Sequence, residues 1–309
     1  MNIEVPDSLV GAPRVALNPS TSSIHDPDRA RALGFRGAAV GGNLHLDIFA
    51  PLLVEAYGQA WFETGALSLY FLNIVIAGEP VQAVVERPTP PGAQTRIHAR
   101  SPRDPALRIC EGTASLGDHS RSELSARDLK TCDASALRLL KGVTPGQSLG
   151  EAEMTLTWKE QEALIESGVN NEPMDWYRGA SPWGGSIASV GGTAALMYRL
   201  LTGDGVRHHH DRISPHIGDA SAMFGAFEIV YQRGPVFLDR PYRVEGRVVG
   251  VGESPKTEYL WWDAAASDET GAVVARMRHL FRLIKASSPL YGDLQGAPVS
   301  ARAEKGAVR

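Results

Sequence analysis

The stretch LHLDIFAPLLVEAYGQAWFE, residues 44–63, sets Leu44, Ile48, Phe49, Leu52, Leu53 and Tyr57 at helical spacing. A helix this apolar on most of its faces has to be buried. The chain that follows supplies the cover. GALSLYFLNIVIAGEPVQAVVERPTPPGAQTRIHARS (65–101) and ALRICEGTASLG (106–117) alternate β-branched or aromatic residues with polar ones. Gly-Glu-Pro and Pro-Pro-Gly turns cut them, so they read as antiparallel strands. The plan then repeats. GGTAALMYRLLTG (191–203) is a second short apolar helix, followed by strand-like runs over 226–252, 256–268 and 271–286. Val40-Gly41-Gly42 opens the first helix and Val190-Gly191-Gly192 the second. Gly78-Glu79-Pro80-Val81 and Asp239-Arg240-Pro241-Tyr242 occupy matching places in the two strand sets. Each half is a loop, an apolar helix and several long strands, and wrapping the strands around the helix is the simplest way to bury it.

Composition narrows the function classes. The 309 residues carry a net charge of −4, with 43 % hydrophobic and 21 % charged residues, as in an ordinary globular protein. Mild acidity argues against a nucleic-acid surface, which needs a clustered basic stripe. No apolar run is long enough to span a bilayer. The opening MNIEVPDSLVG has neither the basic nor the apolar region of a secretory signal. The two cysteines, Cys110 and Cys132, have neither metal-ligand spacing nor disulfide density, so a reduced, cytoplasmic protein is expected. Residues 1 to about 12 lack periodicity, and 120–153 carries few large apolar residues before its Pro-Gly turn. Two domains, 1–145 and 146–285, are expected, with a flexible tail over 286–309.

SSIHDPDRARALGFRGAAVGGN, residues 22–43, raises the question of chemistry. His25 suits general acid–base work, and the neighbouring Asp26 could orient it. Asp26 followed by Pro27 also reads as the N-cap and first position of a short helix, which accounts for Asp26 but not for His25. Gly41, Gly42 and Asn43 precede the apolar helix, where free backbone amides and a partial positive charge could hold a developing oxyanion. The competing reading is a glycine turn that permits tight packing, and it covers both copies of the repeat.

IHDPDRARALGFRGAAVGG (24–42), with GQAWFETGALSLYFLNIVIAGEPVQAVVE (58–86), resembles the MaoC-like dehydratase and (R)-specific enoyl-CoA hydratase family in its double hotdog form. The likeness covers most of 15–117 and, more loosely, 154–285. It implies an α+β fold in which each of two long apolar helices is wrapped by a curved antiparallel sheet. It also implies hydration or dehydration of a 2-enoyl or 3-hydroxyacyl thioester carried by coenzyme A or an acyl carrier protein. No metal or redox cofactor is then called for. His25 would be the base or acid, with Asp26 orienting it or Asp175 supplying a second carboxyl group. Gly41, Gly42, Asn43, His45, Trp176 and Tyr177 would bind substrate. The halves would form a pseudo-dimer, as a monomer or a homodimer of such chains. The family's Asp-x-Asn-Pro-x-His motif is altered here: Ser20 stands five residues before His25, and Asn18-Pro19 is displaced. The second-half stretch 167–192 has no histidine, and Asn170, Asn171, Asp175, Trp176 and Tyr177 crowd that place.

Two other classes stay open. A hotdog thioesterase would use a helix carboxylate such as Asp47 or Glu55, although both fall off the apolar stripe and read as solvated or capping groups. A non-catalytic acyl-thioester binding protein is the other. His45 reads as a core histidine or a pocket residue. His208, His209 and His210, near Asp211, His216 and Asp219, read as a solvated loop rather than a metal site. Trp158, Trp176, Trp183, Trp261 and Trp262 read as core packing, or as the wall of an aromatic tunnel. No phosphate-binding loop, dinucleotide fingerprint or serine-hydrolase elbow stands in a credible context.

Overall fold

The computed structural model describes residues 7–18, 20, 23–172, 174–202 and 213–294. The histidine run 208–210 and Asp211 lie outside the described residues. The strands are β1 (Ser8–Val10), β2 (Arg14–Val15), β3 (Gly65–Phe71), β4 (Pro80–Glu86), β5 (Thr95–Arg100) and β6 (Arg108–Leu116), then β7 (Ser148–Thr155), β8 (Ala222–Tyr231), β9 (Pro241–Glu253), β10 (Thr257–Ser267) and β11 (Val273–Ile284). They form one antiparallel sheet in the order β1-β4-β5-β6-β3-β8-β11-β10-β9-β7, with β2 against β4. The two halves join edge to edge where β3 pairs with β8 and Ser68 faces Glu228. Pairing these central strands removes an exposed edge from each half-sheet. β1 and β2 are formed within and just beyond the opening stretch that shows no periodicity.

The apolar helices fill the inner face, but they differ in regularity. In the second half, after α4 (Trp158–Glu166), α5 (Val190–Thr202) is one continuous helix with Leu196, Met197, Leu200 and Leu201 buried. In the first half the expected helix over 44–63 is broken. Two 3-10 turns, Gly42–His45 and Asp47–Phe49, lead into α2 (Ala50–Tyr57), and Gly58 at φ 74° separates it from α3 (Trp61–Thr64). Pro51 is the local cause, because it offers no amide to the carbonyl one helical turn back. Burial still holds the segment: Leu46, Phe49, Leu53, Trp61 and Phe62 are all completely covered. At ~25 cal/mol per Å2 each such side chain contributes about 2–3 kcal/mol relative to exposure.

Backbone hydrogen bonds fix how the halves correspond. Ala39 N donates to Ile24 O and Val40 N to Val75 O; Ile187 N donates to Trp176 O and Ala188 N to Val236 O. Ala39 therefore matches Ile187, which carries Gly42 onto Val190, Asn43 onto Gly191 and His25 onto Tyr177. The Val-Gly-Gly triplets seen in the sequence are thus out of step by two residues.

The chain between the halves is strapped to the sheet rather than hanging from it. Buried Glu228 accepts hydrogen bonds from the hydroxyls of Ser122 and Ser125. Fully buried Glu258 accepts the amides of Arg138, Leu139 and Leu140 at 2.8–3.1 Å and the hydroxyl of Tyr291. Residues 286–294, expected to begin a flexible tail, carry 3-10 turns, and Tyr291 is buried. No helix among the described residues is long and apolar enough to cross a membrane.

Candidate active site

His25 closes a 3-10 turn, Ser23–His25, just before α1 (Pro27–Ala32). Ser23 starts that turn at φ 55°, a left-handed conformation that costs a residue with a Cβ roughly 1 kcal/mol. Asn18 Nδ2 donates to the His25 carbonyl at 3.2 Å, so the displaced Asn-Pro pair still braces the turn. His25 Nδ1 lies 2.6 Å from Ala39 O. A carbonyl only accepts, so Nδ1 carries the proton and Nε2 is the basic nitrogen. Asp26 does not orient the ring. Its carboxylate caps α1, accepting Arg29 N at 2.7 Å, because the short acid side chain reaches the first-turn amides more readily than the imidazole.

His25 lines a cavity of about 410 Å3 with Gly41, Gly42, His45, Phe71 and Tyr198. Its walls come from both halves, and Tyr198, Phe224 and Phe281 supply the second half's aromatic side. The first amides of the helical run, those of Gly42 and Asn43, have no hydrogen bond among the described residues. A Cβ at Gly42 would stand 2.7 Å from the Phe71 ring, so any larger residue there would push that ring aside. His45 is buried, and burial pushes its pKa down to about 4, so it is a neutral imidazole at physiological pH. It tilts against Phe71. No Asp or Glu among the described residues lines this cavity.

The matching place in the second half is filled. Trp61, Phe62, Trp176, Tyr177, Trp183 and Tyr231 pack there, mostly edge to face, with ring centroids 5.1–6.5 Å apart. Tyr177 is thus a core residue with half-buried Trp176 packed against the core, both away from the His25 cavity, and Asp175 is exposed to solvent, so none of the three joins His25. Tyr177 takes the histidine's place, and its buried hydroxyl has no hydrogen-bond partner among the described residues. The absence of a histidine in 167–192 was the signal available in the sequence.

Asp47 departs most from expectation. It is buried, and its carboxylate accepts Gly191 N at 2.7 Å and Ser189 Oγ at 3.1 Å. It therefore sits on the second half's counterpart of the Asn43 amide. The stripe argument failed because Asp47 lies in a 3-10 turn, where the 3.6-residue period does not apply. Burial pushes its pKa up to about 6, although the bonds from Gly191, Ser189 and Val190 pull the other way. A folded pKa above the ordinary value means that the native state binds the proton more tightly. Stability from this group is full below about pH 4 and is lost as the pH rises through 6. Asp47→Asn should therefore remove this group's share of the pH dependence between pH 4 and pH 7.5, about 2 kcal/mol, read from urea unfolding at both pH values. Glu55 is exposed and pairs with Arg87 at 3.4 Å.

Elsewhere, His216 and Asp219 pair at 3.0 Å on the surface, and no group of potential metal ligands occurs among the described residues. Trp158 is exposed, while Trp261 and Trp262 are core.

The sequence matches no family model, and no curated protein matches it. Solved structures do match. A conserved hypothetical protein from Mycobacterium tuberculosis, described as having a double hotdog fold, aligns at TM-score 0.58 and 14 % identity over 91 % of this chain and 97 % of its own. A MaoC domain protein from Chloroflexus aurantiacus J-10-fl aligns at TM-score 0.55 and 13 % identity over 92 % and 96 %. With one sheet closed over two helical runs and these two likenesses spanning nearly its whole length, the chain has the double hotdog fold.

Proposed function

We propose that the chain hydrates or dehydrates an acyl thioester, with His25 moving the proton. One observation carries this reading: His25, its Nδ1–H held on Ala39, shares a cavity with the amide-bearing helix start at Gly42. In the hydration direction, water adds to Cβ of a 2-enoyl thioester while His25 Nε2 takes its proton. Electrons move from the C=C bond onto the thioester oxygen, and the amides of Gly42 and Asn43 stabilise that oxyanion. The imidazolium then returns the proton to Cα, which balances the reaction with one group acting twice. Neutral His45 can hydrogen-bond water or substrate without competing for the proton.

A thioesterase is less well supported, because Asp47 and Glu55 are both engaged elsewhere. The absence of an acid in the cavity favours one second reading, a binding protein without turnover. The experiment follows the enoyl absorbance and free thiol together, with short, long, branched and aromatic 2-enoyl-CoAs. Absorbance loss without thiol is expected. Thiol release would point to hydrolysis, and thermal stabilisation without either change would point to binding alone.

A further inference from the structure

The His25 cavity is apolar over most of its wall, with Val40, Phe71, Val75, Phe224 and Phe281 among the groups lining it. Among the described residues, five polar side chains interrupt that wall: Ser23, His25, His45, Asn73 and Tyr198. Four have an account. His25 is held on Ala39, and Asn73 donates to the Arg108 carbonyl at 2.6 Å. The Ser23 hydroxyl is sealed away from the open space. His45 stands in the Gly42–His45 turn, beside the place given above to the thioester. Tyr198 remains. Its hydroxyl makes no hydrogen bond among the described residues, and it is not sealed away.

The packing fixes where that hydroxyl stands. Tyr198 lies in α5, with Phe224, His279 and Phe281 around its ring at centroid distances of 5.0, 5.4 and 6.1 Å. His279 is completely covered, so the Tyr198 ring has no room to swing back into the core. Phe224 also reaches the other half, because a Cβ on Gly41 would lie 4.0 Å from its ring. One aromatic ring therefore separates Tyr198 from the helix start at Gly42. In an acyl thioester Cβ is only two bonds from the carbonyl carbon, so a group that meets Tyr198 lies beyond Cβ. A purely apolar acyl group would strip water from the Tyr198 hydroxyl and return no bond, which costs binding. A hydroxyl on the acyl group accepts from Tyr198 and restores the bond.

We propose that Tyr198 is a specificity residue and that the substrate's acyl group carries a hydroxyl beyond Cβ. The proposal rests on the acyl-thioester reading above and adds the class of acyl group. It gives the second half a part in choosing the substrate while the first half moves the proton.

The test uses matched CoA esters with and without the hydroxyl: cinnamoyl against 4-hydroxycinnamoyl, and hex-2-enoyl against its 5-hydroxy and 6-hydroxy derivatives. The wild type is expected to favour the hydroxylated member of at least one pair by about tenfold or more in kcat/KM. Y198F keeps the ring and removes the oxygen, and it should bring that preference to within about threefold. A melting curve checks the fold, which loses no hydrogen bond among the described residues. No preference in any pair overturns the proposal. So does a Y198F variant that lowers kcat equally for both members, since its hydroxyl would then serve the reacting water. If no ester is consumed, the hydration reading has failed, and affinity for the saturated 3-phenylpropanoyl-CoA and its 4-hydroxyphenyl counterpart decides Tyr198 separately. Tighter binding of the hydroxylated ester that Y198F abolishes supports the proposal, and equal affinity overturns it.

Discussion

His25→Ala is expected to lower kcat for hydration of the best 2-enoyl thioester by about 10³-fold, within the usual range for losing a general acid–base group. The size follows from the site's composition. No carboxylate among the described residues lines the cavity, and His45 is held neutral by burial, so no second group takes over the proton. The fold should survive the change. The ring's hydrogen bond to Ala39 O is worth about 1 kcal/mol, and His25 is only partly buried. Stopped-flow or steady-state absorbance, run beside a melting curve, separates the two effects. A fall of less than ~10-fold in a folded variant would remove His25 from proton transfer.

Glu258→Ala should destabilise the fold by about 3–5 kcal/mol. Its carboxylate is fully buried and gathers three consecutive amides, of Arg138, Leu139 and Leu140, together with the Tyr291 hydroxyl. Alanine would leave three buried donors, on Leu139, Leu140 and Tyr291, and the part-buried amide of Arg138 without an acceptor, and each buried orphan costs about 1–3 kcal/mol before relaxation. Glu258→Gln keeps one acceptor oxygen and should cost roughly half as much. Urea midpoints measure both. Because the bonds tie the connector and the C-terminal turn to β10, limited proteolysis of the alanine variant should also cut near 138–142 first. A loss below ~1 kcal/mol would mean that the segment is held by its apolar residues instead.

The fold was legible because its signals are periodic. Alternation marked β3 to β6 and β8 to β11, and two strongly apolar runs marked what those strands must cover. Where the period breaks, the reading broke with it. Pro51 turns the first helix into 3-10 segments, and that phase change carried Asp47 from an apparent solvent face into the core. The strapped connector was missed because its anchors, Glu228 and Glu258, lie more than 100 residues away in β8 and β10, and no local pattern announces such contacts. At the site, His25, Gly41, Gly42 and His45 come together at one cavity. Asp26 does not join them, since a shared loop in sequence does not give a shared direction in space; Asp175, Trp176 and Tyr177 belong to the second half's counterpart of the turn, and the Asn43 side chain is not among the groups lining the cavity.

The filling of the second cleft changes what symmetry means for this chain. The scaffold is doubled, but the side chains are not: a histidine stands at one position and a buried tyrosine at its mate, and one helix start is open while the other holds Asp47. A duplicated architecture usually suggests two ligands that can sense each other. Here one cavity would answer for the whole chain, so binding within it should be simple and hyperbolic. Any sigmoidal response would have to arise between chains.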